Sequence, residues 1–232
     1  MTRPCLILIP GLLNDADLWR DQVAFLSSDF DVRVADITRG ETLADLARTV
    51  LEDAPPTLSV AGFSLGGYVA QEMLRQAPER IERLALLDTA IRPDTPERAK
   101  ERQALSRLAD APGRFIGMGD RMMRAYLSPE HAADPAMTGR VQAMTRRLGL
   151  DVFLRQNALE RPDGEAALRS FDGPVLILCG EMDQITPLST HREMAALVAN
   201  GELVVVPDCG HLTPIEAPDI VSRALRRWMA RG

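Results

Sequence analysis

Lysine is almost missing from this chain: Lys100 is the only one among 232 residues, so arginine carries nearly all the positive charge. That charge is outweighed, and a formal net charge of −6 argues against nucleic acid or an anionic membrane surface as the principal partner. Cysteine is scarce too. Cys5, Cys179 and Cys209 are an odd number without metal-ligand spacing, which fits a reducing cytoplasm and gives no zinc-type site. No apolar run reaches the length of a membrane span, and the N-terminal one, Leu6 to Ile9, is too short for the core of a signal peptide. Gly-x-Gly-x-x-Gly and a P-loop lysine are both missing, so dinucleotide and phosphate-loop roles fall away. No cofactor and no metal are expected.

What is present is ordinary for one soluble domain with an insertion: 46% hydrophobic and 26% charged residues. The first apolar run, Cys5 to Ile9, reads as a strand buried on both faces of a parallel sheet. It ends at Pro10-Gly11. Asp15 or Asp17 is placed to cap a helix through Trp19, Val23 and Leu26. Val32 to Ala35 reads as a second strand closing on Asp36, and Thr42 to Asp53 as a helix with Leu43, Leu46, Ala47 and Val50 on one face. Thr57 to Ala61 is a third strand, followed by a helical run from Tyr68 to Gln76, and Ile81 to Leu87 a fourth, ending at Asp88. From Ile91 to about Ser170 there are only helical patterns, punctuated by proline and glycine. Strand and helix then alternate again: Val175 to Gly180, a helix from about Ser189 to Val198, and a strand from Glu202 to Val206. The chain closes on a helix from about Pro214 to Arg231, whose Ile220, Leu225 and Trp228 are expected to pack on the sheet rather than on a partner. The pattern predicts an α/β fold with a doubly wound, mostly parallel sheet of about six strands. Residues 1–90 and 171–232 form its core, and 91–170 an inserted helical region.

Ligands in such sheets collect at the carboxyl ends of the strands. Asn14, Asp36, Ser64, Asp88, Asp183 and His211 each follow one strand, so all lie at that edge. Ser64 is the centre of Gly62-Phe63-Ser64-Leu65-Gly66-Gly67, between a strand and a helix. The flanking glycines leave room for a sharp turn that exposes the hydroxyl above the positive end of the helix. A serine needs a base within hydrogen-bond reach. His131 sits in the insertion and His191 in a helix outside the sheet, whereas His211 follows the last strand at the edge carrying Ser64. Asp183, after the fifth strand, is placed to hold the far ring nitrogen of that histidine; Asp88 and Glu181 are its rivals. Backbone N–H groups of Leu65 and Leu12 are the candidate oxyanion donors.

Taken together, Leu8-Ile9-Pro10-Gly11, the Gly62 to Gly67 motif, Gly180-Glu181-Met182-Asp183-Gln184-Ile185-Thr186-Pro187 and Gly210-His211 resemble the α/β-hydrolase fold, in the manner of its small-molecule carboxylesterases. The resemblance covers nearly the whole chain and implies a helical lid between the fourth and fifth strands. It implies ester hydrolysis through Ser64, His211 and Asp183 by way of an acyl-enzyme. C–C bond or thioester hydrolysis with the same triad is the alternative, and a non-catalytic ligand-binding relative a further one. Two departures stand out. Relatives usually carry His-Gly where this chain has Pro10-Gly11, which loosens the assignment of Leu12, and the chain starts directly at the first core strand. The expected partner is a small molecule with an apolar acyl or aryl part, the assembly a monomer or homodimer. Leu13, Phe115, Met122, Tyr126, Phe153 and Leu212 are the candidate pocket residues. Arg121, Arg124, Arg146, Arg147 and Arg155 are read as solvated faces rather than as a receptor for a substrate carboxylate.

Overall fold

Alternation along the apolar runs decides how the sheet is covered. In β1 (Cys5–Ile9) every residue is buried, yet successive side chains go to different cores. Cys5, Ile7 and Ile9 join one and Leu6 and Leu8 the other, as the two-residue period of a strand requires. The computed structural model describes residues 3–231. It places β1 beside β2 (Asp31–Val34) on one side and β3 (Leu58–Phe63) on the other, and continues through β4 (Ile81–Leu87), β5 (Val175–Gly180) and β6 (Gly201–Val206). All five pairings are parallel, in the order β2-β1-β3-β4-β5-β6. The chain runs outward from β1 to β2, then crosses back to β3, so the order reverses next to β1 and β3. That reversal opens a crevice at their carboxyl ends.

Helices cover both faces. On the first lie α2 (Leu43–Glu52), α3 (Leu65–Gln76) and α9 (Leu188–Leu197), with Leu46, Val50, Val69, Met73 and Met194 buried against Ile7, Val60 and Ile177. Thr42 caps α2, its hydroxyl accepting from the Asp45 N–H. On the second face lie α1 (Arg20–Leu26) and the C-terminal helix α11 (Pro218–Met229). Leu225 and Trp228 are wholly buried there, each contributing about 2 kcal/mol or more by removal from water, and the indole N–H donates to the Pro174 carbonyl at 3.1 Å. Ile220, expected on the same face, is exposed instead.

Between β4 and β5 there are only helices: α4 (Pro96–Asp110), α5 (Asp120–Tyr126), α6 (Pro129–Ala132), α7 (Pro135–Ala158) and α8 (Glu165–Arg169). α7 is broken at Gly149, which takes φ 77°, a conformation open to glycine and strained for other residues. Two boundaries depart from the sequence reading. The stretch after Asp15 begins as a 3-10 turn, Ala16–Trp19, before α1, with the Asp15 carboxylate accepting from the Asp17 N–H. The expected single terminal helix is two, α10 (Thr213–Glu216) and α11, because Pro218 forces Ala217 out of helical geometry, to φ −136° and ψ 58°. Among the described residues no helix is long and apolar enough to cross a membrane.

Candidate active site

The turn from β3 into α3 is as tight as backbone allows. A Cβ on Gly62 would overlap the Gly66 carbonyl, and one on Gly66 would overlap the carbonyls of Ile9 and Pro10. Ser64 itself takes φ 51° and ψ −115°, a strained conformation for a residue with a side chain. The turn is held from three directions: Ser64 N–H donates to Leu87 O at 2.9 Å, Gly67 N–H to Ser64 O at 2.9 Å, and the Thr89 hydroxyl to Ser64 O at 2.7 Å. What remains free is the Ser64 hydroxyl, which is partly exposed.

His211 Nε2 lies 3.0 Å from Ser64 Oγ, and His211 Nδ1 lies 2.8 Å from Asp183 Oδ2. An ionised carboxylate only accepts, so Nδ1 carries the ring proton and Nε2 is left to accept from the serine. Burial of Asp183 raises its pKa, but His211 beside it outweighs that together with the Thr186 N–H and hydroxyl, and the carboxyl sits below its ordinary range. Ile185 N–H (2.7 Å), Thr186 N–H (3.0 Å) and the Thr186 hydroxyl (2.8 Å) donate to it. The imidazole is wedged between Phe63, 5.2 Å away between ring centres, and Tyr126, edge-on at 5.1 Å. Its backbone N–H donates to Tyr126 O at 2.6 Å.

Other sequence candidates are placed differently. Glu181 is exposed. Asp88, at φ 46°, is wholly buried but accepts from Gly180 N–H at 3.0 Å and from the Thr213 hydroxyl, tying the ends of β4 and β5 to α10. Burial, then the neighbouring Asp183 charge, push its pKa well up. Asp36 is exposed and accepts from Thr38 N–H; Asn14 is buried in the loop after β1, its N–H donating to Gly11 O. Leu12 and Leu65 N–H groups have no hydrogen-bond partner among the described residues, Leu65 because it opens α3. The loop carrying Leu12 is set by Leu13, at φ 53°, whose N–H donates to Gln156 Oε1 at 2.8 Å; the other end of that amide donates to Ile37 O. Leu13 and Leu212 are fully buried, Met122 packs against the α1/α11 core, and Phe115 stacks on buried Phe153 at 5.8 Å.

Two functional neighbours had no readable signal, and a third showed only as an acid late in the chain. Gln156 reaches the Leu12 loop from 143 residues away along the chain. Thr89 braces the Ser64 carbonyl. Glu216 is a buried carboxylate that accepts from Gly210 N–H (3.1 Å) and Leu212 N–H (3.0 Å), bracketing His211. It also takes Ser128 N–H (2.8 Å) and meets His131 Nδ1 (2.9 Å) from the helical insertion. The late acid five residues after His211 was visible in the sequence; its burial was not.

His191, read as a helix residue outside the sheet, is wholly buried. Its Nε2 accepts from Thr89 N–H at 3.1 Å, and Nδ1 lies 3.3 Å from Pro187 O. Burial outweighs the Pro187 carbonyl and Asp183, bringing its pKa down to about 4. A folded-state pKa below the unfolded value of about 6.5 means the unfolded chain binds more protons between the two. The stability is therefore complete above pH 6.5 and drains away as pH falls toward 4, by on the order of 3 kcal/mol. Urea midpoints measured from pH 7 to 4.5 are expected to fall more steeply for the wild type than for His191→Gln. Parallel profiles would contradict this.

With that geometry in view, the comparisons with known proteins are direct. Residues 6–224 match the model of the alpha/beta hydrolase family, and the chain belongs to that family. Among its relatives, a pimeloyl-(acyl-carrier protein) methyl ester esterase of Aromatoleum aromaticum is 26% identical, covering 94% of this chain and 95% of the relative. A solved thermophilic esterase from Thermogutta terrifontis superposes with a TM-score of 0.85 at 26% identity, over 98% of this chain and 90% of that one. The enol-lactonase of Burkholderia xenovorans shares the fold, with a TM-score of 0.87 at 22% identity over 100% and 93% of the two chains. Among the described residues no cluster of His, Cys, Asp or Glu could hold a metal.

Proposed function

We propose that this protein is a serine hydrolase of small-molecule carboxylic esters. The observation that carries the reading is the hydrogen-bonded row from Asp183 through His211 to Ser64, ending on a strained turn that leaves the hydroxyl open. Ser64 Oγ attacks the ester carbonyl as His211 Nε2 takes its proton. The carbonyl oxygen, now negative, is received by the N–H groups of Leu65 and Leu12. Collapse expels the alcohol, which takes the proton back from His211 and leaves an acyl-enzyme. Water then repeats the sequence in reverse roles and frees the acid. Asp183 fixes the tautomer and offsets the imidazolium charge. The insertion acts as a lid, with Tyr126 lying against the imidazole, and the esterase activity named for relatives supports the substrate class.

The test is a panel of p-nitrophenyl esters from acetate to laurate, run beside a fluorophosphonate label for Ser64. Turnover of short acyl chains together with labelling is expected. Labelling without turnover of any ester would overturn the ester reading and keep the nucleophile; neither labelling nor turnover would overturn both.

A further inference from the structure

The loop after β1 touches the nucleophile turn on both sides. A Cβ on Gly11 would come within 2.8 Å of the Phe63 ring, just before Ser64, and one on Gly66, just after it, would meet Pro10 O at 2.5 Å. The Leu12 N–H belongs to that loop, and little inside the loop fixes it. Pro10 has no N–H to give and Gly11 no side chain. Internal bonds are left to Asn14, whose N–H reaches Gly11 O at 3.2 Å and whose side-chain amide reaches Leu13 O at 3.3 Å, both at or beyond the long end of the usual range. Leu13 meanwhile holds φ 53°, a conformation that costs a residue with a side chain and persists only where the surroundings enforce it.

The helical insertion supplies that enforcement. Gln156, buried on α7, accepts from Leu13 N–H at 2.8 Å and donates to Ile37 O at 3.1 Å. A backbone N–H only donates and a carbonyl only accepts, so the two partners hold the amide in one orientation. One side chain thus clamps the loops after β1 and β2 to the insertion. It lies beyond the break in α7 at Gly149. Before the break the same helix grips the chain that follows the loop, Arg147 pairing with Asp15 at 2.9 Å and Arg140 with Asp21 at 2.6 Å.

We infer that Gln156 is a positioning residue for the oxyanion site: by holding Leu13 it sets the Leu12 N–H, so the insertion supports the reaction's developing charge as well as covering the turn. This rests on the serine-hydrolase reading above. The Leu12 N–H shares its peptide plane with Gly11 O, which only the long bond from Asn14 restrains. The next plane carries the Leu13 N–H, and Gln156 holds that one. Freed from Gln156, Leu13 can leave its strained φ, and the Leu12 donor turns with it. Such a donor matters most when the carbonyl oxygen becomes negative, so its misplacement falls on the chemical steps rather than on substrate binding.

The experiment sets wild type beside Gln156→Met, which keeps the reach of the side chain without its hydrogen bonds, and Gln156→Glu, which keeps an acceptor for Leu13 N–H. Asn157→Leu is the control, since the Asn157 amide donates to Arg102 O and Ser106 Oγ on α4 and not to the loop. p-Nitrophenyl acetate gives kcat and KM, and the rate at which a fluorophosphonate labels Ser64 gives a second readout that needs no ester. Gln156→Met is expected to lose about 100-fold in kcat, the scale of a misplaced oxyanion donor. KM should change little, because acylation and deacylation both pass through an oxyanion. Labelling should slow in parallel, and Gln156→Glu should recover most of both losses. Asn157→Leu is expected to lower the urea midpoint while kcat stays near wild type. An unchanged kcat in Gln156→Met, or an equal loss in Asn157→Leu, would overturn the inference. If circular dichroism shows Gln156→Met unfolded, Gln156→Asn, too short to span both loops, takes its place with the same expected loss. If wild type is labelled but cleaves no ester, the ester reading has failed and the labelling rates decide alone: slower in the variant supports the inference, equal overturns it. No labelling of wild type overturns both.

Discussion

Ser64→Ala and His211→Gln are expected to lower kcat/KM on any ester that wild type cleaves by on the order of 10⁵-fold, the loss seen when a group in a cooperating catalytic row is removed. The two losses should not add, because each variant breaks the same relay: without Oγ there is nothing for the base to activate, and without the base the hydroxyl is a poor nucleophile. The double variant is therefore expected within about tenfold of either single one. Stability gives the control. Ser64 is held by its backbone, through Leu87 O, Gly67 N–H and Thr89 Oγ1, so removing Oγ leaves the turn and its strain in place. His211 differs, since deleting the ring to alanine would open a cavity between Phe63 and Tyr126 and strand the buried Asp183 carboxylate. Glutamine fills part of that space and can still donate toward Asp183, which makes it the better probe. Steady-state kinetics with urea melts check both variants. Residual activity within 100-fold of wild type in either, with the fold intact, would sink the nucleophile–base assignment.

Much of this arrangement could be read from the chain because it is built from local signals. Leu6 to Ile9, Leu84 to Leu87 and Val175 to Leu178 are apolar on both faces, as strands in the interior of a parallel sheet are. Glycine at 62 is forced by the Gly66 carbonyl four residues on, whereas glycine at 66 makes room for the carbonyls of Ile9 and Pro10 at the end of β1. The order of Ser64, Asp183 and His211 follows from each ending a strand. What stayed illegible depends on contacts between distant segments. A helical period marks an apolar stripe but does not say what covers it: Ile220, expected on the sheet, lies exposed, and His191, in a helix outside the sheet as expected, has a burial that its helix alone does not announce. Glu216 and Gln156 look like solvent-facing residues in sequence. Their burial follows from N–H groups turned toward them: Gly210 and Leu212 on the adjoining loop with Ser128 from the insertion for one, and Leu13 from the loop after β1 for the other. Polar residues enter a core when the fold supplies their partners, and those partners have no signature in the neighbouring sequence.

Asp183→Asn is expected to cost on the order of 10⁴-fold in kcat, and Asp88→Asn, at the adjacent strand end, much less. Both carboxyls are buried, and their electrostatic surroundings differ. Asp183 faces His211 and three donors from Ile185 and Thr186, all of which favour the ionised form. An amide there presents either an oxygen, with one lone-pair set and no charge, or an NH2 that turns the imidazole to the wrong tautomer. In the second case Nε2 carries the proton and can no longer accept from Ser64. Asp88 has burial and the Asp183 charge against ionisation, and its partners are Gly180 N–H and the Thr213 hydroxyl. A carboxyl whose pKa is held well up is close to an asparagine in charge, and the amide oxygen can keep the Gly180 bond. Its role is to hold the β5 end and α10 in place, so its loss reaches catalysis only through the position of Asp183 and His211. Measured kcat and urea midpoints for the two variants separate these roles: Asp183→Asn should lose kcat with a modest change in stability, and Asp88→Asn should change both little. If Asp88→Asn were the variant that lost 10⁴-fold, the acid partner of His211 would have been misassigned, and the bond between Asp183 and Nδ1 would be a feature of the resting site alone.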